Sequence, residues 1–400
     1  MRIGMMADIY KPHVSGITNY LDLNKRYLEA LGHEVYIFTF GDEGYIDEEP
    51  NIIRSHGLPI VDTGFYLNTR YSPDAQKILR KMDVAHVHHP FLSGRLTLRY
   101  CRPRGIPIVF TNHTRYDLYA QAYMPSLPEG IGETFLRAYL PNFCQAIDLV
   151  VAPSPGMKQI LQKLGVESHV EVVPNGVDLG PFQVDVQPID RSAFGFAPSD
   201  IILIYTGRLG PEKNLPFLLR AFNGVLQAYD RVRLLIVGDG PERENLEDRV
   251  QHMGITSFVK FVGMVDYSEM PRYLAASDAF VTPSVTEVHP LSVIEAMASG
   301  LCVLGIESPG VGDTVKDGET GFIIQEQDLA AFTAKMVRLI TDHELRRQMG
   351  IQARKTSKEY GIERTTKIMA EHYQRLVAMS LGQKKSLRAR FYQVVDRWRR

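Results

Sequence analysis

The sequence is short of several things, and each shortage excludes a class of protein. Three cysteines occur in 400 residues, Cys101, Cys144 and Cys302. They are odd in number and widely spread, so they supply neither a disulfide framework nor a CxxC metal spacing. Their expected place is as small buried side chains in a reducing compartment. Neither sign of charge is in excess: 45 Lys and Arg stand against 46 Asp and Glu, for a net charge of −1. No global field therefore points to a nucleic-acid partner. The chain contains no run of about 18 uninterrupted apolar residues, the minimum for a bilayer span. Met1-Arg2 runs into a short apolar stretch broken by Asp8 and Lys11, which is not the pattern of a secretory signal. The expectation is a cytoplasmic protein whose membrane contacts, if any, are peripheral. The dinucleotide fingerprint G-x-G-x-x-G is missing as well. Its nearest approach, Gly238-Asp239-Gly240-Pro241, lacks the third glycine, which argues against a nicotinamide or flavin enzyme. No Asp-x-Asp pair offers itself to a phosphate-bound divalent ion.

What is present is ordinary globular material, 44% hydrophobic and 23% charged, enough for two or three cored domains. Short apolar runs alternate with amphipathic helix-length stretches. Strands are expected at 2–7, 34–40, 84–88, 106–111 and 149–152, with a helix at 19–31 closed by Gly32. The alternation restarts with strands at 201–206, 233–237, 259–261, 279–282 and 302–305. Between them lie helices at 215–229, 242–253, 270–275 and 291–299. From about residue 328 the periodicity is helical, over 330–340, 343–360 and 363–379. This order implies an α/β protein of two Rossmann-like, doubly wound parallel-sheet domains followed by C-terminal helices. The weakly periodic segment 174–200, rich in Pro, Asp and Gly, suits a linker. The expected division is 1–175, 176–365 and 366–400.

Four places could carry chemistry. The first follows the strand at 279–282: Glu287-Val288-His289-Pro290-Leu291-Ser292-Val293-Ile294-Glu295. Pro290 suits a helix start, which turns the amides of Leu291 and Ser292 toward any anion in front of them. Glu287 in the loop and Glu295 in the helix could grip two ends of one ligand; a capping acid and a solvated Glu are the alternative. The second is Gly207-Arg208-Leu209-Gly210-Pro211-Glu212-Lys213-Asn214, beyond a strand's carboxyl end, where open α/β sheets bind ligands. Arg208 and Lys213 could neutralise a pyrophosphate, or form a surface cluster with Glu212. The third is the loop 8–18, where Gly16 precedes a helix start. The fourth is His113 at the end of the strand 106–111, able to bond a sugar hydroxyl or shuttle a proton, or simply structural. His86-Val87-His88-His89 puts two histidines on one strand face, but no further ligand follows at metal-like spacing. No metal site is expected.

Taken together, the strand-end Gly-Arg-Leu…Glu-Lys-Asn, the Glu-x₇-Glu with its trailing Glu-Ala-Met-Ala-Ser-Gly, and Pro174-Asn175-Gly176-Val177-Asp178 resemble the family-4 retaining glycosyltransferases. The resemblance covers the chain to about residue 375. It implies the GT-B architecture, with the two domains facing a central cleft, and a nucleotide-sugar co-substrate without a cofactor or metal. It implies catalytic roles for His113, Arg208, Lys213 and Glu287. Gly16, Gly207, Met264, His289, Pro290, Leu291, Ser292 and Glu295 would bind the donor. Where many relatives have a glycine-rich segment after the first Glu, this chain has Val288-His289-Pro290.

The acceptor is suggested by local charge. Arg95, Arg99 and Arg102 recur at i, i+4 and i+7, one face of a helix. Residues 381–400 carry seven basic side chains against Asp396, with Leu387, Phe391, Val394, Val395 and Trp398 in one apolar stripe. Such a helix can lie in an anionic membrane interface, or pack back on the first domain. Thr111-Asn112-His113-Thr114-Arg115-Tyr116 with Tyr119 resembles the acceptor side of enzymes that glucosylate diacylglycerol. A lipid or glycan acceptor is expected, with Arg95, Arg99, Arg102, Tyr116 and Trp398 on the acceptor and membrane side. Mannosyl transfer from GDP-mannose to phosphatidylinositol or another glycan or polyprenyl acceptor is the alternative reaction, and a silent nucleotide-sugar-binding protein is the alternative of another class.

Overall fold

The structure is a computed structural model that describes residues 1–13, 15–42, 44–59, 66–116, 118 and 130–398, with residues 67, 131 and 383–398 described by their backbone alone. Two parallel sheets organise it. The first contains β1 (Arg2–Met6), β2 (Glu34–Gly41), β3 (Ile52–His56), β6 (Val84–Val87), β7 (Ile108–Thr111), β8 (Leu149–Ala152) and β9 (Val170–Val172). Their order is β3-β2-β1-β6-β7-β8-β9. A two-stranded ribbon of β4 (Leu58–Pro59) and β5 (Tyr66–Leu67) lies outside it. The second sheet contains β10 (Ile201–Thr206), β11 (Val232–Val237), β12 (Val259–Gly263), β13 (Ala279–Thr282), β14 (Val303–Ile306) and β15 (Gly321–Ile324). Their order is β12-β11-β10-β13-β14-β15. β6, β7, β8, β13 and β14 are buried at every residue, as strands covered on both faces by crossover helices must be.

Strand order places the site. In the first sheet β1 separates β2 from β6, and in the second β10 separates β11 from β13. The loops leaving β1 and β6, and those leaving β10 and β13, therefore part to opposite sides and open a crevice beyond the strand ends. Those four loops carry residues 8–13 and 15, 88–91, 207–214 and 283–290.

Several elements depart from expectation. The edge strands β3, β9 and β15 are not among the expected strands; β9 is only three residues long and β3 mixes Arg54, Ser55 and His56 into its run. The first helix spans Gly16–Ala30, so it begins three residues early and Gly16 is its first residue. Ser15 and Thr18 close a reciprocal capping box, which outweighs the weak helix propensity of Gly16 and Thr18. Segment 174–200 is packed rather than loose: Val177, Leu179, Phe182 and Phe196 belong to a core cluster of the second half. The last helix runs unbroken over Ile362–Trp398. It begins on the second half and returns to the first, where Met369, Ala370 and Tyr373 join the core beneath β1, β2 and β6. All three cysteines are free and buried.

Candidate active site

The second half supplies charge. After β10, Gly207 adopts φ 148°, a conformation that L side chains avoid. The neighbouring Gly238 could not carry a Cβ, which would lie 1.9 Å from the Gly207 carbonyl oxygen. The two loops thus lie backbone against backbone. Tyr205 donates its hydroxyl to the Arg208 carbonyl at 3.1 Å, fixing the turn that carries Arg208. Lys213 ends the 3₁₀ turn Pro211–Lys213, and its Nζ donates to Oε1 of Glu287 at 2.6 Å. Glu212 is buried, and Lys213 bridges to the loop after β13.

Glu287 is held from behind by Gly310, whose amide donates to the Glu287 carbonyl at 2.9 Å. A Cβ at Gly310 would stand 2.5 Å from the Val288 carbonyl carbon. Pro290 is the cap of the helix Leu291–Ala298 rather than a member of its first turn. Leu291 and Ser292 therefore open that helix. Glu295 lies a turn inside it, 7% exposed, and accepts the Tyr267 hydroxyl at 2.9 Å. Burial pushes the Glu295 carboxyl up to about 7, with the Tyr267 hydrogen bond pulling the other way. His289 is buried with its ring edge-on to Tyr360, and burial pushes it down to about 3. Met264, just past β12, is 65% exposed.

The first half supplies neutral aromatic and backbone groups and a buried carboxylate, Asp8. The Asp8 carboxylate accepts the Ser93 amide at 2.7 Å, and the Asp8 amide donates to Nδ1 of His89 at 3.1 Å. The loops after β1 and β6 are thereby tied together. Gly16 is exposed, and a Cβ there would meet nothing within 4 Å, so space opens at that helix start. His113, just past β7, has Nε2 3.0 Å from Nδ1 of His88. His86 and His88 do share one face, but among the described residues no group of three or more His, Cys, Asp or Glu could hold a metal ion.

The two halves face each other. The Arg208 charge adds to burial in holding His13 below its usual range, and Val288 packs into a core cluster of the first half. Beside the crevice, Ser154 donates to the Pro309 carbonyl at 2.9 Å and the Gly156 amide to Asp313 at 2.6 Å. The crevice thus brings Arg208, Lys213, Glu287, Glu295 and the helix start at Leu291 to one side, with His113 and Gly16 on the other half. Sequence reasoning missed Tyr267, Tyr373 and the contact between His88 and His113. The alternation in His86-Val87-His88 pointed to a shared face but not to a partner, and nothing marked the two tyrosines.

Arg95, Arg99 and Arg102 are all exposed along the helix Leu92–Cys101 and its cap, with Arg104 exposed beyond them. Tyr116 packs edge-on against Phe91 at 5.1 Å, beside Phe135 and Tyr139, which stack at 5.7 Å. The side chain of Trp398, and residues Tyr119, Arg399 and Arg400, lie outside the described residues. No helix among the described residues is long and apolar enough to cross a membrane.

Two sheets of this order with a charged strand-end crevice between them define a GT-B glycosyltransferase. A sucrose-phosphate synthase from Thermosynechococcus elongatus shares the fold with a TM-score of 0.76, covering 94% of this chain and 99% of that one at 23% identity. Residues 14–180 match the family described as Glycosyltransferase Family 4, and residues 186–356 the one described as Glycosyl transferases group 1. An alpha-monoglucosyldiacylglycerol synthase of Streptococcus pneumoniae is 30% identical over 82% of this chain and 77% of its own length. Another enzyme of that name, from Acholeplasma laidlawii, is 28% identical over 82% of this chain and 86% of its own length. The chain belongs to glycosyltransferase family 4, and it is a retaining glycosyltransferase that uses a nucleotide-sugar donor.

Proposed function

We propose that the enzyme transfers glucose from UDP-glucose to diacylglycerol with formation of an α-glycosidic bond, working as a peripheral protein at the cytoplasmic membrane face. The reading is carried by the 2.6 Å pair of Lys213 and Glu287, which sets a cation and a carboxylate side by side at the switch point of the second sheet. Departure of the diphosphate builds negative charge on its oxygens and positive charge on the sugar ring. Arg208 and Lys213 stabilise the first electrostatically, together with the amides of His289 to Ser292. With that countercharge in place the transfer needs no divalent ion. Glu287 takes hydroxyls of the sugar and Glu295 those of the ribose, while Met264 and Gly207 line the nucleotide. Gly16 lets the first half approach the phosphates, and His113 contacts the sugar. The exposed row Arg95, Arg99 and Arg102, with Tyr116 beside it and the tail ending in Trp398, meets the lipid surface. Similarity to two enzymes named alpha-monoglucosyldiacylglycerol synthase supports diacylglycerol as acceptor and glucose as the sugar.

The test uses the purified protein with EDTA and anionic vesicles containing diacylglycerol, with labelled UDP-glucose, UDP-galactose or GDP-mannose in separate reactions. Label entering the lipid from UDP-glucose is expected. Label entering from GDP-mannose alone, and then only with phosphatidylinositol present, replaces the reading with the mannosyl one. Folded protein that consumes no donor makes it a silent binder.

A further inference from the structure

Three histidines stand where the reading above uses one. His86 and His88 are two residues apart on β6 and share a face, with ring centroids 4.1 Å apart. The His88 ring stacks on His113 at 5.2 Å, and Nδ1 of His88 is 3.0 Å from Nε2 of His113. Tyr20 covers both, its ring 5.4 Å from His88 and 4.7 Å from His113. His88 is wholly buried, and its Nε2 has no hydrogen-bond partner. On the other side, His86 is braced by the Tyr373 hydroxyl at 2.5 Å and by Thr111 Oγ1 at 2.7 Å. Tyr373 comes from the returning helix Ile362–Trp398.

This geometry fixes where the protons sit. Burial, helped by the neighbouring imidazoles, holds His88 and His113 well below the usual histidine range, so each ring carries one proton at neutral pH. A buried N–H without an acceptor is costlier than an unpaired lone pair. The unpartnered Nε2 of His88 is therefore the lone pair, and Nδ1–H of His88 donates to Nε2 of His113. The nitrogen that accepts cannot also hold the proton, so His113 is protonated at Nδ1, its remaining polar atom.

We propose that His88 is a positioning residue that holds His113 as an Nδ1–H donor, so that His113 meets the bound sugar as a hydrogen-bond donor and not as a base. The inference rests on the reading of His113 as a sugar contact. It follows that His113 binds an oxygen of the donor sugar, and that the proton of the acceptor hydroxyl leaves by another group.

The experiment reads the tautomer directly in the full-length, donor-free protein. Histidine-selective ¹⁵N labelling and long-range ¹H–¹⁵N correlation spectra report which nitrogen is protonated, with the His113 signals identified by their loss in His113→Gln. Wild type is expected to show His113 protonated at Nδ1. His88→Phe is expected to move the proton, wholly or partly, to Nε2 and to lower kcat/KM about tenfold to a hundredfold, the usual cost of losing an orienting partner. His88→Asn, whose amide can donate from near the same place, should keep the wild-type tautomer and most of the activity. Nε2-protonated His113 in wild type overturns the proposal. So does equal loss of activity in both variants with an unchanged tautomer, since the ring then only packs. If His88→Phe does not fold, the wild-type spectrum and His88→Asn decide. The underlying reading fails separately: His113→Ala with unchanged kcat and donor KM removes His113 from the substrate, whatever its tautomer.

Discussion

At the carboxyl ends of β6 and β7 the first half gathers the buried His86 and His88 and the half-buried His113, all neutral, under the rings of Tyr20 and Tyr373. At the corresponding ends of β10 and β13 the second half gathers Arg208, Lys213, Glu287 and Glu295. The two sheets share a fold, yet one wall lines the crevice with uncharged imidazole and phenol rings, its Asp8 carboxylate taken up by the Ser93 amide, and the other is charged with little water around it: the Lys213 and Glu287 side chains are 17% and 20% exposed. On the proposed mechanism this division has a reason. Charge develops on the departing diphosphate, so fixed charge belongs on the wall that holds it. The opposite wall has to orient hydroxyls, which neutral donors and acceptors do without drawing counter-ions into the crevice.

The sharpest way to break the comparison is to discharge the second wall. Lys213→Ala is expected to lower kcat by about 10²–10³-fold, the scale for losing one preorganised partner of a developing anion. The loss should fall on kcat rather than on folding, as thermal unfolding of the variant would show. Near-normal turnover in folded protein would take Lys213 off the diphosphate. An equally large loss from His113→Ala would also be informative, since it would mean that the neutral wall carries as much of the transition state as the charged one.

Groups in the crevice should also respond to acid with opposite signs, the buried histidines, His289 of the second wall among them, against Glu295. Burial depresses His86 to about 3 and holds His88 and His113 down as well, so below about pH 6.5 the unfolded chain binds protons that the folded one refuses. Stability is lost there as pH falls. Glu295 behaves oppositely. With its carboxyl raised to about 7 in the folded protein, the folded state binds the extra proton between about pH 4.5 and 7. Its contribution therefore grows as pH falls, by up to about 3 kcal/mol at ~1.4 kcal/mol per unit. The wild-type melting temperature should drop on acidification below pH 6.5, and Glu295→Gln should steepen that drop by removing the opposing contribution. Parallel profiles for the two proteins would deny Glu295 its raised pKa.

Further from the crevice, the first half does carry charge, but on its outer face. Arg95, Arg99 and Arg102 are exposed together on one helix and its cap. Replacing all three by Gln should weaken binding to anionic vesicles by about fivefold per arginine at low salt, with the difference shrinking as salt rises. Turnover on acceptor presented in neutral detergent should change much less. Binding to vesicles unaffected by the triple substitution would move the membrane contact elsewhere, with the tail at 381–400 the next segment to delete.

The contrast between the walls was unevenly legible in the sequence. The charged wall could be read because its residues sit in two contiguous segments, 207–214 and 287–295, each immediately after an apolar run that can only be a buried strand. Strand order then did what sequence spacing could not, bringing Lys213 within 2.6 Å of a carboxylate 74 positions away. Of the neutral wall's side chains, the sequence marked only a shared face for His86 and His88, and a ligand role only for His113. Its partners come from β6, from the first helix and from a helix almost at the other end of the chain, and nothing local in Tyr373 announces a bond to His86, 287 residues earlier. The early start of the first helix escaped for a different reason. Its signal is a side-chain exchange between Ser15 and Thr18, two residues that individually favour leaving a helix. Among the edge strands, β9 is only three residues long and β3 mixes Arg54, Ser55 and His56 into its run, while β15 pairs with a neighbour already in place.

The smallest expected effect lies within the charged wall and tests how finely it is tuned. Tyr267 donates its hydroxyl to Glu295 at 2.9 Å, which favours the ionised carboxylate against the burial that disfavours it. Tyr267→Phe removes the donor and keeps the ring, which packs edge-on against Phe182. The Glu295 pKa should then rise further. A larger share of the enzyme would hold a protonated Glu295 at neutral pH, less able to accept both ribose hydroxyls. Donor KM should therefore rise by a few-fold, an amount in line with one hydrogen bond to a charged group partly replaced by the ligand itself. The rise should be greatest near pH 7 and fade toward pH 9, where Glu295 is ionised in both proteins, with kcat at saturating donor unchanged. A KM that rises equally at every pH would mean that the hydroxyl touches the nucleotide directly, and Tyr267 would move from holding Glu295 to binding the donor.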